Sequence, residues 1–214
     1  MKIKQEEVLR YLGYGKKQAD EKILHRITES SEELLNAVVP RRVTKEVSVS
    51  FLQEDTIQLG ELVVTSKNLA EHLSGCKKAI LLAATLGPQP DLLIQRYACV
   101  SMSHAVILQA CAAALIEDYS DEYEKFIKEQ EGKKGLYLRP RYSPGYGDFS
   151  LTYQKALVTV LDASKKIGLT VTESLMLAPS KSITAVIGLT VEEKSCHISR
   201  CMECQAKNCP FRKE

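Results

Sequence analysis

An α+β fold with a mixed or mostly antiparallel sheet and packed helices is predicted for this 214-residue sequence, with a short cysteine-rich C-terminal tail appended. Three observations lead there. Helical and strand periodicities mix along the chain without a regular strand–helix–strand repeat, which disfavours a parallel sheet. Residues 104–123, HAVILQACAAALIEDYSDEY, are rich in Ala and free of Gly and Pro, a strongly helix-forming run. Residues 78–85 and 182–190 read as strands, and the apolar run 79–86 has the length of a buried strand, too short to span a membrane.

Each element has its own reason. Residues 6–12 and 20–38 read as helices, the second from Ile23, Ile27, Leu34, Leu35 and Val38 at helical spacing, and Pro40 ends it. Val47, Val49 and Phe51 alternate as a half-buried strand, and 57–64 pairs back onto it after a turn at 53–56. Ser66 is placed to cap a short helix reaching Leu73. Residues 89–128 form one long helix or two consecutive ones. Residues 136–139 form a short strand, and 150–167 a helix that Gly168 stops. No internal repeat is present.

Composition narrows the function classes. With 44% hydrophobic and 26% charged residues the chain can bury a core, and we divide it into a domain at 1–190 and a tail at 191–214. A dispersed net charge of +2 gives no reason to invoke nucleic acid or an anionic membrane as partner. The opening MKIKQEEVLRYLG lacks the apolar core of a signal peptide, and no apolar run reaches membrane-spanning length, so a cytoplasmic protein is expected. Motifs of zincins, serine hydrolases, P-loops and dinucleotide folds are missing. His25, His72, His104 and His197 are scattered and read as surface or core residues rather than bases.

The densest chemistry lies in residues 139–148, RPRYSPGYGD. Pro140 and Pro144 fix φ, whereas Gly145 and Gly147 permit positive φ and close backbone approach. A guanidinium grips a carboxylate through parallel hydrogen bonds, and a tyrosine offers a flat face with a polar tip. Together they suit a cradle for an amino-acid-like or nucleoside-like ligand; a Pro/Gly surface turn with incidental charges is the alternative. Upstream, Val106, Ala110, Ala113 and Glu117 share one helical stripe. Glu117 either meets a cation, from a ligand or from Arg141, or is simply solvated where the stripe surfaces.

The tail is a separate object. Cys196, Cys201, Cys204 and Cys209 place four of the seven cysteines within fourteen positions. In a reducing compartment such spacing favours a metal over a disulfide, as zinc or an iron–sulphur cluster. Cys76, Cys99 and Cys111 sit in apolar segments and read as small core residues.

Several blocks then join into one resemblance. Gln109-Ala-x-Ala-x-x-Leu-x-Glu117, Arg141-x-x-x-Gly145-Tyr146 and Glu173-Ser-x-x-x-x-Pro179-x-x-Ser182 resemble the S-adenosylmethionine-binding activation domain of cobalamin-dependent methionine synthase, over roughly residues 5–190. The opening Glu7-Val-Leu-Arg10-Tyr11-Leu12-Gly13-Tyr14 and Thr85-Leu86-Gly87 resemble the free-standing branch of that family. The resemblance implies a stand-alone activation subunit, a component of methyltransferase activity in methionine biosynthesis. Such a subunit binds S-adenosylmethionine and supports reductive remethylation of cob(II)alamin. It implies Arg141, Ser143, Gly145 and Tyr146 as the ligand loop, with Ser143 where the family commonly has Ala, and Glu117 as the acidic ligand position. The chain departs from the family in carrying Ala185-Val-Ile187 where an aromatic run follows the Pro-x-x-Ser block, and in lacking a counterpart of an N-terminal Asp contact. No Asp-x-His-x-x-Gly run occurs, so the cobalamin is expected on a partner corrinoid protein. A cluster in the tail would deliver an electron, and zinc would be structural. The alternative from another class is a non-catalytic assembly or redox metal-binding subunit of a corrinoid system.

Overall fold

A computed structural model describes residues 1–14 and 19–192. In chain order its elements are α1 (Gln5–Tyr11), α2 (Glu21–Ala37), β1 (Arg41–Phe51), β2 (Thr56–Leu59), β3 (Leu62–Thr65), α3 (Lys67–His72), β4 (Lys78–Thr85) and α4 (Gln89–Val100). They continue with α5 (Met102–Gly132), β5 (Tyr137–Leu138), α6 (Tyr153–Val160), α7 (Ala163–Ile167), β6 (Thr170–Val171), β7 (Leu177–Ala178) and β8 (Ser182–Thr190). The α+β class follows, and every strand pair among the described residues is antiparallel.

The described chain divides into a helical unit, 1–39 with 88–122, and a sheet unit, 40–87 with 123–192. In the helical unit Asp20 caps α2 by accepting from the Ile23 amide at 2.8 Å. Its core joins Val8, Ile27 and Leu34 to Ile107, Leu108, Cys111 and the small residues Ala110 and Ala114 of α5. Small side chains there let the helices approach closely, and burial pushes the Cys111 thiol up to about 11. Of the one long helix or two consecutive ones expected at 89–128, the structure has two, because the extended backbone of Ser101 separates α4 from α5. His104 is a core residue as expected, packed on the Tyr97 ring with centroids 3.9 Å apart. Cys99 is exposed, contrary to expectation, because α4 turns Leu93, Ile94 and Tyr97 to the core instead.

In the sheet unit the order is β3-β2-β1-β4-β8-β5. The central pair runs from Lys78↔Leu189 to Thr85↔Ser182, and both strands bury residues of both parities, hence their uninterrupted apolar sequences. One face packs Leu69 of α3 and Leu73 just after it, Leu157 and Val158 of α6, and Ala163 and Ile167 of α7 on Val47, Val49, Leu81, Ala83 and Val186. Ala185, Val186 and Ile187, which replace the aromatic run, are fully buried in β8. The structure also differs from the sequence reading in its finer divisions. The strand expected at 57–64 is a hairpin turned at Gly60, which has φ +61°. The helix expected at 150–167 is cut by Asp162 in the left-handed region, giving α6 and α7. The small β6–β7 hairpin was not foreseen.

Candidate ligand-binding site

The loop at 139–150 begins on the edge of the sheet. The Arg139 and Tyr142 amides donate to the carbonyls of Gly188 and Val186 at 2.8 and 2.9 Å, and the Val186 amide returns to Tyr142 at 2.8 Å. Beyond that point the chain folds on itself: the Gly145 amide donates to Phe149 at 2.7 Å and the Phe149 amide to Tyr146 at 3.0 Å. The turn requires φ of +95° at Gly145 and +55° at Gly147, where a side chain is strained. The Tyr142 ring is buried between His72 and Phe149, with centroids 5.0 and 6.2 Å away. His72 donates from Nε2 to the Pro140 carbonyl at 2.8 Å. Pro144 is buried beneath the turn, whereas Tyr146 is 57% exposed and presents its ring outward.

The two arginines of the loop have different surroundings. Arg139 is buried and donates from a guanidinium nitrogen to the Ser74 carbonyl at 3.3 Å. Arg141 is half-buried and meets Glu124 of α5 at two points. Its Nη1 donates to Oε2 at 2.7 Å, and its amide donates to Oε1 at 3.1 Å. Glu124 was not singled out from the sequence, because only the tertiary partner distinguishes it from the acids around it.

Asp148 closes the far end of the loop. It accepts from the Ser66 hydroxyl at 2.5 Å and from the Lys67 and Asn68 amides at 2.8 and 3.2 Å, while Ser66 caps α3 by accepting from the Leu69 amide. Desolvation raises the Asp148 carboxyl, but the hydrogen bonds from Ser66, Lys67 and Asn68 outweigh it and hold the group below the usual carboxylate range. A depressed carboxyl contributes stability that is present above its unfolded value and lost as pH falls through the folded one. Asp148→Asn is expected to lower stability at pH 7 by at most about 1 kcal/mol, the size of a helix-cap loss, because the carboxylate is exposed and water screens it. The wild-type and variant melting curves should converge as pH falls below the usual carboxylate range; a gap unchanged with pH contradicts the assignment.

Two other blocks noted in the sequence also meet. Ser182 is opposite Thr85 in the β4–β8 register, and its hydroxyl donates to Thr85 Oγ1 at 2.8 Å. The Leu86 amide donates to Lys181 at 2.9 Å, and the Gly87 amide to Thr85 Oγ1 at 3.1 Å. Thr85-Leu86-Gly87 and Pro179-x-x-Ser182 thus form one hydrogen-bonded corner of the sheet unit.

Glu117 belongs to the helical unit. With Lys4, Glu7, Ala114, Asp118 and Asp121 it lines a cavity of about 160 Å³ whose wall is mainly anionic. Burial raises the Tyr11 phenol, and the charge of Glu117 raises it further. Such a wall suits a cation. Cys196, Cys201, Cys204 and Cys209 lie outside the described residues, and among the described residues no group of three or more His, Cys, Asp or Glu side chains could hold a metal. Nor is any helix among them long and apolar enough to cross a membrane.

Comparison with known proteins adds to this geometry. The family model described as vitamin B12 dependent methionine synthase, activation domain, matches residues 102–214, so the match includes the tail, which lay beyond the stretch covered by the motifs. Among solved structures, the crystal structure of the MetH reactivation domain bound to AdoHcy aligns with a TM-score of 0.64 at 15% identity. That alignment covers 88% of this chain and 75% of the other, and at this identity it shows a shared fold. No curated protein matches the chain.

Proposed function

Because the chain belongs to the family of vitamin B12 dependent methionine synthase activation domains, we propose that it binds S-adenosylmethionine and supports reductive remethylation of cob(II)alamin on a partner. In this reading it is a stand-alone activation subunit. The observation that carries the reading is the loop itself. At the family-matched positions it shows a braced guanidinium at Arg141, a positive-φ glycine at Gly145 and an exposed aromatic residue at Tyr146. The solved structure of similar fold was crystallised with AdoHcy, the product S-adenosylmethionine leaves after methyl transfer.

The residues fit such a ligand chemically. Arg141 binds the carboxylate of the methionine moiety, Ser143 and the backbone at Gly145 approach it closely, and Tyr146 covers an apolar face. The resemblance also implies Glu117, in the helical unit, as an acidic position suited to a cationic group. Cobalamin carried by a partner would supply the metal chemistry, the uptake of one electron and of the methyl group. This chain contributes orientation: it holds the methyl donor in one geometry, so that transfer does not wait on a random encounter. Affinity purification of the full chain from cell extract, followed by a corrin absorption spectrum, tests the partner. A cobalamin-carrying methyltransferase in the eluate is the expected result, and its consistent absence contradicts the reading.

The segment at 191–214 is proposed as a metal-binding tail held by Cys196, Cys201, Cys204 and Cys209. We favour an iron–sulphur cluster because the reaction consumes an electron. Protein purified without oxygen is expected to absorb in the visible, and the band should vanish when Cys201 and Cys204 are both changed to Ser. Colourless protein with stoichiometric zinc makes the tail structural; protein with neither metal removes the site.

A further inference from the structure

We propose that Glu124 and Asp148 are positioning residues that set the ligand loop before any ligand arrives; the inference rests on the reading that this loop binds S-adenosylmethionine. An arginine is a better carboxylate grip when its long side chain is already aimed, because its rotamer entropy is otherwise lost on binding. Glu124 removes that freedom. One of its oxygens holds the Arg141 amide and the other holds Nη1, so backbone and guanidinium of the same residue are fixed by one carboxylate. The pair is shielded, with side-chain exposures of 15% for Arg141 and 25% for Glu124, so water and salt weaken it less than a surface ion pair.

Asp148 does the same for the other end. Its three hydrogen bonds to Ser66, Lys67 and Asn68 dock the end of the loop on the first turn of α3. Between the two acids lie the family-matched Ser143, Gly145 and Tyr146, in a turn closed by its own backbone bonds. The loop is thus braced by α5 at Arg141, by β8 at Tyr142 and by α3 at Asp148. Binding then orders little that is not ordered already.

The experiment uses the full chain. Wild type, Glu124→Gln, Glu124→Asp, Asp148→Asn and the exposed control Glu129→Gln are titrated calorimetrically with S-adenosylmethionine. Amide hydrogen exchange of residues 141–148 is followed with and without saturating ligand. Loss of a hydrogen bond to a charged group predicts roughly tenfold weaker binding for Glu124→Gln. Losing the cap-like bonds predicts roughly threefold for Asp148→Asn. Glu124→Asp, which keeps the charge, should recover part of the affinity, and Glu129→Gln should match wild type. Exchange in the loop should quicken in the free Gln and Asn variants and slow again with ligand. Unchanged affinity and exchange overturn the proposal, as does tighter binding by Glu124→Gln, which would make Glu124 a competitor for Arg141. Should wild type not bind at all, the ligand reading falls; the exchange of the free variants still decides whether these acids brace the loop.

Discussion

Arg141→Ala is expected to weaken S-adenosylmethionine binding by on the order of 2–5 kcal/mol, the range for removing one member of a buried charge pair. Arg139→Ala is expected to leave affinity nearly unchanged and to lower the melting temperature instead. The two side chains are two residues apart, but Arg139 is 5% exposed and bonded to the Ser74 carbonyl, whereas Arg141 is half-buried at the family-matched position. Truncating Arg139 removes packing and a hydrogen bond inside the sheet unit, a loss of stability rather than recognition. Glu117→Gln, nearly isosteric, should weaken binding while the fold is kept. Calorimetric titration beside thermal melting separates these outcomes, and equal losses of affinity from the two arginine variants remove the assignment of Arg141.

Gly147→Ala is expected to destabilise the sheet unit by roughly 1–3 kcal/mol and to weaken ligand binding with it. Two effects add. The backbone at 147 has φ +55°, where an L side chain is strained, and a new Cβ would be 2.6 Å from the Tyr142 hydroxyl and 2.9 Å from Asn68 Nδ2. Relief requires moving Tyr142, whose ring is packed between His72 and Phe149, or the start of α3, on which Asp148 rests. Denaturant unfolding measures the first effect. A variant as stable as wild type would show that the loop does not depend on this close approach.

The parts of the fold that were legible in the sequence are those where local pattern and tertiary burial agree. β4 and β8 are buried on both sides along most of their length, so most of each strand is apolar. The Ser66 cap needs only its own helix, and its hydroxyl accepts from Leu69 as expected. Elsewhere the local signal is ambiguous. Leu59-Gly60-Glu61-Leu62 carries apolar residues on both sides of a two-residue turn, so a hairpin and one strand look alike. Asp162 breaks α6 from α7 without Gly or Pro, because it adopts a left-handed conformation that leaves no mark in the sequence. Arg41 to Glu46 extend β1 by six residues before the visible alternation begins, and their side chains are polar or only partly buried.

The candidate site divides in the same way. RYSPGYGD advertised its turn through Pro and Gly, and the positive φ values at Gly145 and Gly147 are those its residue types permit. What braces the turn was invisible, because Glu124 is seventeen residues from Arg141 and Asp148 about eighty from its partners in α3. A carboxylate's role as a brace depends on what the fold puts beside it, and no spacing rule supplies that. Cys99 shows the opposite error: an apolar neighbourhood in sequence became an exposed face once α4 chose Leu93, Ile94 and Tyr97 for the core.

Titration of the wild-type chain with S-adenosylmethionine, with S-adenosylhomocysteine as a parallel ligand, tests the central claim most directly. The expected result is saturable one-site binding of both, abolished or strongly weakened in Arg141→Ala. Absence of binding at millimolar ligand, with the protein shown to be folded by its melting transition, would contradict it.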